Sequence, residues 1–178
     1  MELEERVSEL ERRLEALVGE RTDAARKPAG ADFWALEGLK EELSEAGEAD
    51  GGVLYTGAVR LPTGERYEWQ YGALTAQLLD AGPEEESAEG GTDWAEAAES
   101  FAALGHPVRL RLLREILGGR RTAAELAALD ETGTTGQIYH HLRQLTGAGW
   151  LRTKGRGKYE VPGARVVPLL VVLTAAKP

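Results

Sequence analysis

The chain has 178 residues, of which 29% are charged, with a formal net charge of −9 and no cysteine. This length suffices for one or two domains with a hydrophobic core, and the lack of thiols excludes disulfides and thiolate metal sites. The acidic start argues against a signal peptide, and the longest apolar stretch, residues 166–173, is far shorter than the roughly 20 residues that span a bilayer. We therefore expect a cytoplasmic protein with no membrane partner.

Residues 1–27 are predicted to form a coiled-coil helix. Apolar side chains recur at alternating spacings of four and three, which is the pattern of a heptad seam: Leu3, Val7, Leu10, Leu14 and Leu17. A seam of only about two and a half heptads is marginal by itself, so we expect it to assist an oligomer formed elsewhere, either a dimer or a tetramer. An ordinary amphipathic helix packed on its own domain is the alternative.

Residues 32–80 are predicted to form a module of one helix and one β-hairpin. Asp32 can cap a helix that ends at the glycines after residue 46. Two alternating segments, 53–61 and 66–71, flank a turn with Pro62 and Gly64, which indicates a hairpin. Its aromatic side chains share one face: Tyr55, Tyr67, Trp69 and Tyr71. This strip either lines a pocket for a small-molecule effector, pairs with the hairpin of a second subunit, or covers the helix that starts at Asp32.

The charge of the chain is divided unevenly. An acidic linker over residues 81–92 separates the hairpin module from the C-terminal domain, residues 93–178. The first 92 residues hold 9 basic and 22 acidic side chains, whereas residues 93–178 hold 12 basic and 8 acidic ones, a net charge of +4. The basic excess lies in the C-terminal half, as expected when that half contacts nucleic acid.

Residues 93–149 follow the plan of a helix-turn-helix. Asp93 can start one helix, Pro107 opens a second that ends at Gly118, and a capping box at Thr122 starts a short third. After a turn, a fourth helix runs from an N-cap at Thr134 to Gly149, with one apolar face: Ile138, Leu142 and Leu145. In this plan the last helix enters the major groove of DNA.

The polar face of that helix and the segment after it supply the predicted DNA contacts. Two short strands, 150–153 and 158–161, flank a cationic, glycine-rich turn and form a wing. Arginine and glutamine suit base edges, while lysine and arginine of the wing suit phosphate or the minor groove. The predicted DNA-binding residues are Thr134, Thr135, Gly136, Gln137, Tyr139, His140, Arg143, Lys154, Arg156 and Lys158. His141 lies closer to the apolar face and is interpreted as structural.

The last segment, residues 162–176, is apolar almost all round and is predicted to be a buried helix. Pro168 either kinks this helix or makes it begin late. A strand over residues 166–173 is the alternative.

Three motifs in this half, at residues 103–113, 122–127 and 139–151, resemble the winged helix-turn-helix regulators of the ArsR type. The resemblance implies a homodimeric protein that binds double-stranded DNA, usually a repressor released by an effector. It also implies a dimer interface of terminal helices, which here would contain Trp94, Phe101, Leu169, Leu170 and Leu173. Metal-sensing members use cysteine pairs or an Asp/His/Glu set on the last helix, and residues 162–177 have neither, so we expect no metal and no cofactor.

The sequence thus predicts a mainly α fold with small β elements (α+β), in which a C-terminal winged helix-turn-helix domain follows a coiled-coil helix and a helix–hairpin module. The predicted function is that of a sequence-specific DNA-binding transcriptional regulator at an inverted-repeat operator, and the resemblance implies that it is a dimeric repressor. No Ser-His-Asp set, phosphate loop or metal triad indicates an enzyme. A protein-interaction adaptor that binds no DNA is the alternative, favoured by the acidic N-terminal half.

Overall fold

The computed structural model describes residues 33–79, 92–129, 133–155 and 157–177. These ranges contain seven helices and four strands: α1 (Trp34–Ala46), β1 (Gly52–Arg60), β2 (Arg66–Leu74), α2 (Thr75–Leu79), α3 (Trp94–Leu104), α4 (Pro107–Leu117), α5 (Ala123–Ala127), α6 (Thr135–Gly147), β3 (Arg152–Thr153), β4 (Tyr159–Glu160) and α7 (Gly163–Ala175). The predicted fold class, mainly helical with small two-stranded sheets, is confirmed. The predicted coiled coil, with its seam from Leu3 to Leu17, lies outside the described residues, as do Arg156 and nearly all of the acidic linker.

The described chain divides after Gly47 into two compact units. The first contains α1, which has Phe33 rather than the expected Asp32 at its N-cap position and ends at Gly47. Gly47 adopts the left-handed conformation, with φ of 74°, and its N–H donates to the carbonyls of Leu43 and Ser44. The second unit holds every other element, so the hairpin shares a unit with the helix-turn-helix. This division differs from the predicted module of residues 32–80.

The hairpin forms with the predicted turn and cross-strand pairs. Tyr55 lies opposite Tyr71, and Val59 lies opposite Tyr67. The N–H of Leu61 donates to the carbonyl of Glu65 at 2.9 Å, and Gly64 takes the positive φ of 89° that the turn requires. β2 continues to Leu74, beyond the predicted end at residue 71, because its partner strand already begins at Gly52.

The aromatic face of the hairpin packs on α7. A side chain at Gly57 would begin 2.6 Å from Cγ1 of Val167, and one at Gly163 would begin 3.3 Å from the ring of Tyr67. The missing side chains of the two glycines therefore let sheet and helix approach closely. Leu61 joins the core beyond the end of β1, and Arg121 donates to the Glu65 carboxylate at 2.6 Å.

One hydrophobic core holds the second unit together. Its fully buried members come from α4, α5, α6, α7 and the residue before β3: Leu112, Leu113, Ile116, Leu126, Ile138, Leu142, Leu145, Leu151, Val166 and Leu169. α7 is helical through Pro168, so the alternative of a strand there is wrong. Among the residues that the structure describes, no helix combines the length and apolar character needed to cross a membrane.

The burial of Leu169 corrects the predicted dimer interface. Its side chain has no exposed surface within a single chain, because it belongs to the hydrophobic core of the second unit. Leu169 therefore presents no accessible surface to a second subunit. Leu170 is half-buried and Leu173 is exposed.

Candidate nucleic-acid interface

Helix α6 begins with a capping box that fixes its N-terminal end at Thr134. The Oγ1 of Thr134 accepts the N–H of Gln137, and the Oε1 of Gln137 accepts the N–H of Thr134 at 2.8 Å. A side chain at Gly133, which has φ of 91°, would begin against Oε1 of Gln137. Gln137 was predicted to contact DNA, but its side-chain oxygen is engaged in the cap. The spacing Thr-x-x-Gln was the signal for this role.

One face of α6 is buried and the other is exposed. Ile138, Leu142 and Leu145 have no accessible surface, which confirms the predicted apolar face. Five of the predicted contact residues of α6 are exposed, and Gly136, His140 and Arg143 among them lie opposite the apolar face; the five are Thr135, Gly136, Tyr139, His140 and Arg143. A Cβ at Gly136 would have no atom within 4 Å, so the backbone there stands open to a large neighbour.

Arg109 connects α6 to the end of α3. Its Nη1 donates to Oε1 of Gln144 on α6 at 2.6 Å, while Nε and Nη2 donate to the carbonyls of Ala103 and Ala102 at 2.5 and 2.7 Å. Those carbonyls belong to the last turn of α3, where no helical N–H is left to bond them. The guanidinium therefore caps the C-terminal end of α3 and links it to α6 through the hydrogen bond to Gln144. The sequence did not reveal this role of Arg109, because an arginine in a helical pattern ordinarily faces solvent.

The three histidines of the chain lie together beside Arg109. The ring centroids of His106 and His141 are 4.7 Å apart, and those of His140 and His141 are 5.9 Å apart. His106 is the N-cap of α4, with Nδ1 accepting the N–H of Val108. Burial, followed by the neighbouring charges of His106, Arg109 and His140, lowers the pKa of His141 below 6.5. No group of three or more potential metal ligands occurs in the part of the chain that the structure describes.

The wing is held by a buried carboxylate. β3 and β4 pair Arg152 with Glu160, and the carboxylate of Glu160 accepts from Arg152 at 2.7 Å and from Lys154 at 3.1 Å. Burial raises the pKa of Glu160, but hydrogen bonds from Lys154 and Arg152 outweigh burial and leave it below 4.5. Lys154, a predicted phosphate contact, is thus partly neutralised within the wing. Lys158 is exposed, and its backbone bridges to Thr122 at the start of α5.

The ligand pocket predicted at the hairpin stays a prediction. The rings of Tyr55 and Tyr71 contact each other at a tilt of 40°, with centroids 5.8 Å apart. A cavity beside Tyr67 has a volume of about 10 Å³. That volume is near the limit for a single water molecule. Within the strip, Tyr67 contacts α7, an element that the sequence alternatives did not include, whereas Trp69 is 40% exposed and Tyr71 is 55% exposed.

Large apolar side chains remain exposed on α3 and at the end of α7. Trp94 is 64% exposed, Phe101 is 59% exposed and Leu173 is 37% exposed. The indole N–H of Trp94 donates to the carbonyl of Leu78 at 3.0 Å, which orients this ring on the surface. These three side chains are all among the predicted dimer contacts.

Comparison with known proteins finds a helix-turn-helix match within the candidate interface. A family model of a helix-turn-helix domain matches residues 104–153, the span from the end of α3 to β3. Among solved structures, the chain is similar to Mycobacterium tuberculosis Rv0081, with 26% identity, coverage of 46% of this chain and 84% of that chain, and a TM-score of 0.38. No curated protein matches the chain. Residues 104–153 are therefore a helix-turn-helix domain, as the resemblance to ArsR-type proteins predicted, and such a domain implies DNA binding in transcriptional regulation.

Proposed function

We propose that the chain is a dimeric transcriptional repressor that inserts α6 of each subunit into the major groove of an inverted-repeat operator. The observation that carries the proposal is the two-sided character of α6. Its apolar side chains have no accessible surface, whereas Thr135, Gly136, Tyr139, His140 and Arg143 form an exposed face. A capped helix with such a face fits the shape and the hydrogen-bonding edges of the major groove.

Each exposed residue of α6 has a role in this proposal. Arg143 donates to guanine edges or to phosphate, because a guanidinium matches both. Thr135 and Gly136 lie in the first turn, the part of a recognition helix that approaches the bases. Tyr139 and His140 donate to flanking phosphates. Gln137 acts mainly through the cap, with only its amide N–H groups left for DNA.

The wing contributes contacts to the DNA backbone. Lys158 is exposed and makes no ion pair in the described chain, so its full charge is available for a phosphate. Lys154 contributes less, because Glu160 shares its charge. Arg156 lies outside the described residues and stays a proposed phosphate or minor-groove contact. The net charge of +4 over residues 93–178 supports contact between this half of the chain and the DNA backbone.

The proposed dimer uses the exposed apolar side chains of α3 and α7. Trp94, Phe101 and Leu173 expose a large apolar area, which in a soluble protein commonly marks an interface. Packing this surface on a second copy about a two-fold axis relates the two α6 helices by the same axis. Half-sites then lie about one helical turn apart. A dimer bound there occludes a promoter, which is the basis of the proposed repression.

The proposal is tested by enrichment of genomic DNA fragments on the purified chain and two variants. Arg143→Ala and Arg66→Ala each remove one exposed positive charge, the first from α6 and the second from the start of β2. We expect the wild type and Arg66→Ala to enrich the same inverted repeat and Arg143→Ala to lose it. If the folded wild-type chain enriches no sequence, the proposal is wrong and a protein-binding adaptor becomes the better account.

A further inference from the structure

A cleft opens between the C-terminal ends of α3 and α6. Its volume is about 330 Å³, at the lower end of the range for small-molecule sites. Small residues form its walls, among them Ala102 of α3 and Gly147 and Ala148 at the end of α6. Arg109 and Gln144 supply its polar groups, and Glu99 also borders it. The cleft therefore combines an apolar wall with a single cationic group.

The charge of Arg109 has no carboxylate partner within the described ranges. The residue is only 9% exposed, and its three hydrogen bonds all go to neutral oxygens, two carbonyls and one amide. Buried charges are ordinarily paired, because neutral acceptors compensate the loss of water only in part. A guanidinium has five N–H groups, and two of them, one on each Nη, are not used in these bonds. These two N–H groups can still donate hydrogen bonds to an anionic ligand.

We propose that this cleft binds a small organic monocarboxylate. Its carboxylate accepts from the remaining Nη donors of Arg109, since a guanidinium and a carboxylate match each other geometrically. Its apolar part lies against Ala102, Gly147 and Ala148. A single negative charge is favoured over two, because Glu99 adds its own negative charge at the border of the cleft.

The site also has a consequence for α6, and this part rests on the proposed function. Arg109 donates to Gln144 of α6 and to the last carbonyls of α3 at the same time. A carboxylate bound to the remaining Nη donors draws the guanidinium toward the cleft and so weakens its hydrogen bond to Gln144, which links the two helices. We therefore expect the ligand to lower the affinity for operator DNA.

The test uses benzoate as the probe and benzamide as a neutral control of the same shape. Amide and arginine side-chain NMR signals of the full chain are followed as each compound is added without DNA. We expect benzoate to shift the signals of Ala102, Arg109, Gln144 and Ala148 with a Kd on the order of 1 mM. Benzamide should leave these signals in place, because it brings no charge for the guanidinium.

Two variants should abolish benzoate binding while the chain stays folded. Gln144→Glu supplies Arg109 with the missing carboxylate, so the chain should stay folded, with an unchanged or higher midpoint of thermal unfolding, and no longer bind benzoate. Ala148→Leu fills the cleft and should also remove binding. Ala124→Leu, the same change at an exposed position of α5, should bind benzoate like the wild type.

The outcomes distinguish this proposal from the proposed function. Equal shifts with benzamide, no shifts with benzoate at roughly tenfold the expected Kd, or unchanged binding by Gln144→Glu would overturn the site, whether or not the chain binds DNA. If benzoate binds as expected but the chain enriches no DNA, the site stands and the proposed function falls. If both hold, benzoate should weaken operator binding by the wild type and not by Gln144→Glu.

Discussion

Replacing Gly57 by alanine tests how closely the hairpin packs on the helix-turn-helix half. The new Cβ would begin 2.6 Å from Cγ1 and 3.4 Å from Cγ2 of Val167. Real Cβ atoms essentially never come as close as the first distance, so the sheet, the helix or Val167 must shift. Val167 is 1% exposed, and a valine within a helix has one strongly preferred rotamer. Rotation of its side chain therefore cannot relieve the clash.

The expected loss in the free energy of unfolding is about 2 kcal/mol, within the roughly 1–3 kcal/mol typical of an overpacked core. This loss is a large part of the ~5–15 kcal/mol that stabilises an ordinary domain. Urea unfolding followed by tryptophan fluorescence measures it. Gly136→Ala is the control, because its Cβ meets nothing within 4 Å on an exposed helix; it should stabilise the chain by about 0.5–1 kcal/mol.

A double-mutant cycle with Val167→Ala attributes the loss to this contact. Val167→Ala removes both Cγ atoms and should destabilise the chain alone, but it makes room for the alanine at position 57. The two changes together should cost less than their sum, by about 1 kcal/mol or more. Wild-type stability of Gly57→Ala, or strict additivity in the cycle, would refute the close packing of hairpin and helix.

Three further changes test the helix-turn-helix half. Leu142→Asp should leave the chain unfolded in circular dichroism, because it buries a charge at a position with no accessible surface; a native melting curve would contradict this burial. Thr134→Ala removes the N-cap of α6 and should cost about 1 kcal/mol in urea unfolding, and an unchanged midpoint would mean that the capping box contributes nothing. His141 has a folded-state pKa below 6.5, so the unfolded chain binds its proton more readily, and stability present above pH 6.5 should be lost as the pH falls toward the folded-state pKa. His141→Asn should flatten that part of the pH profile of the urea midpoint, and an identical slope in the variant would exclude His141 as its source.

Local signals were sufficient to predict much of the C-terminal half. Pro107 and Gly118 bracket α4, and the predicted capping box of Thr122 with Glu125 is formed. The buried face of α6 followed from apolar spacing alone. These features depend on residues only a few positions apart, so the sequence displays them directly.

Contacts between distant segments were not predictable in the same way. Arg109 and Gln144 meet across 35 positions of the chain, and neither residue type signals a buried contact. The packing of the hairpin on α7 depends on two glycines, Gly57 and Gly163, whose missing side chains become informative only once both elements are placed. Leu169 shows a related limit, because a helix that is apolar all round does not reveal which side belongs to its own core.

The most direct test of DNA recognition by α6 is the affinity of the enriched DNA fragment for the wild type and for Arg143→Ala at two salt concentrations. If a dimer makes about six phosphate contacts, wild-type affinity should fall on the order of a thousandfold between roughly 50 and 200 mM salt. Arg143→Ala should cost a further ~1–3 kcal/mol on the specific fragment, with Arg66→Ala close to the wild type. Affinity that is insensitive to salt, or wild-type affinity in Arg143→Ala, would contradict the account.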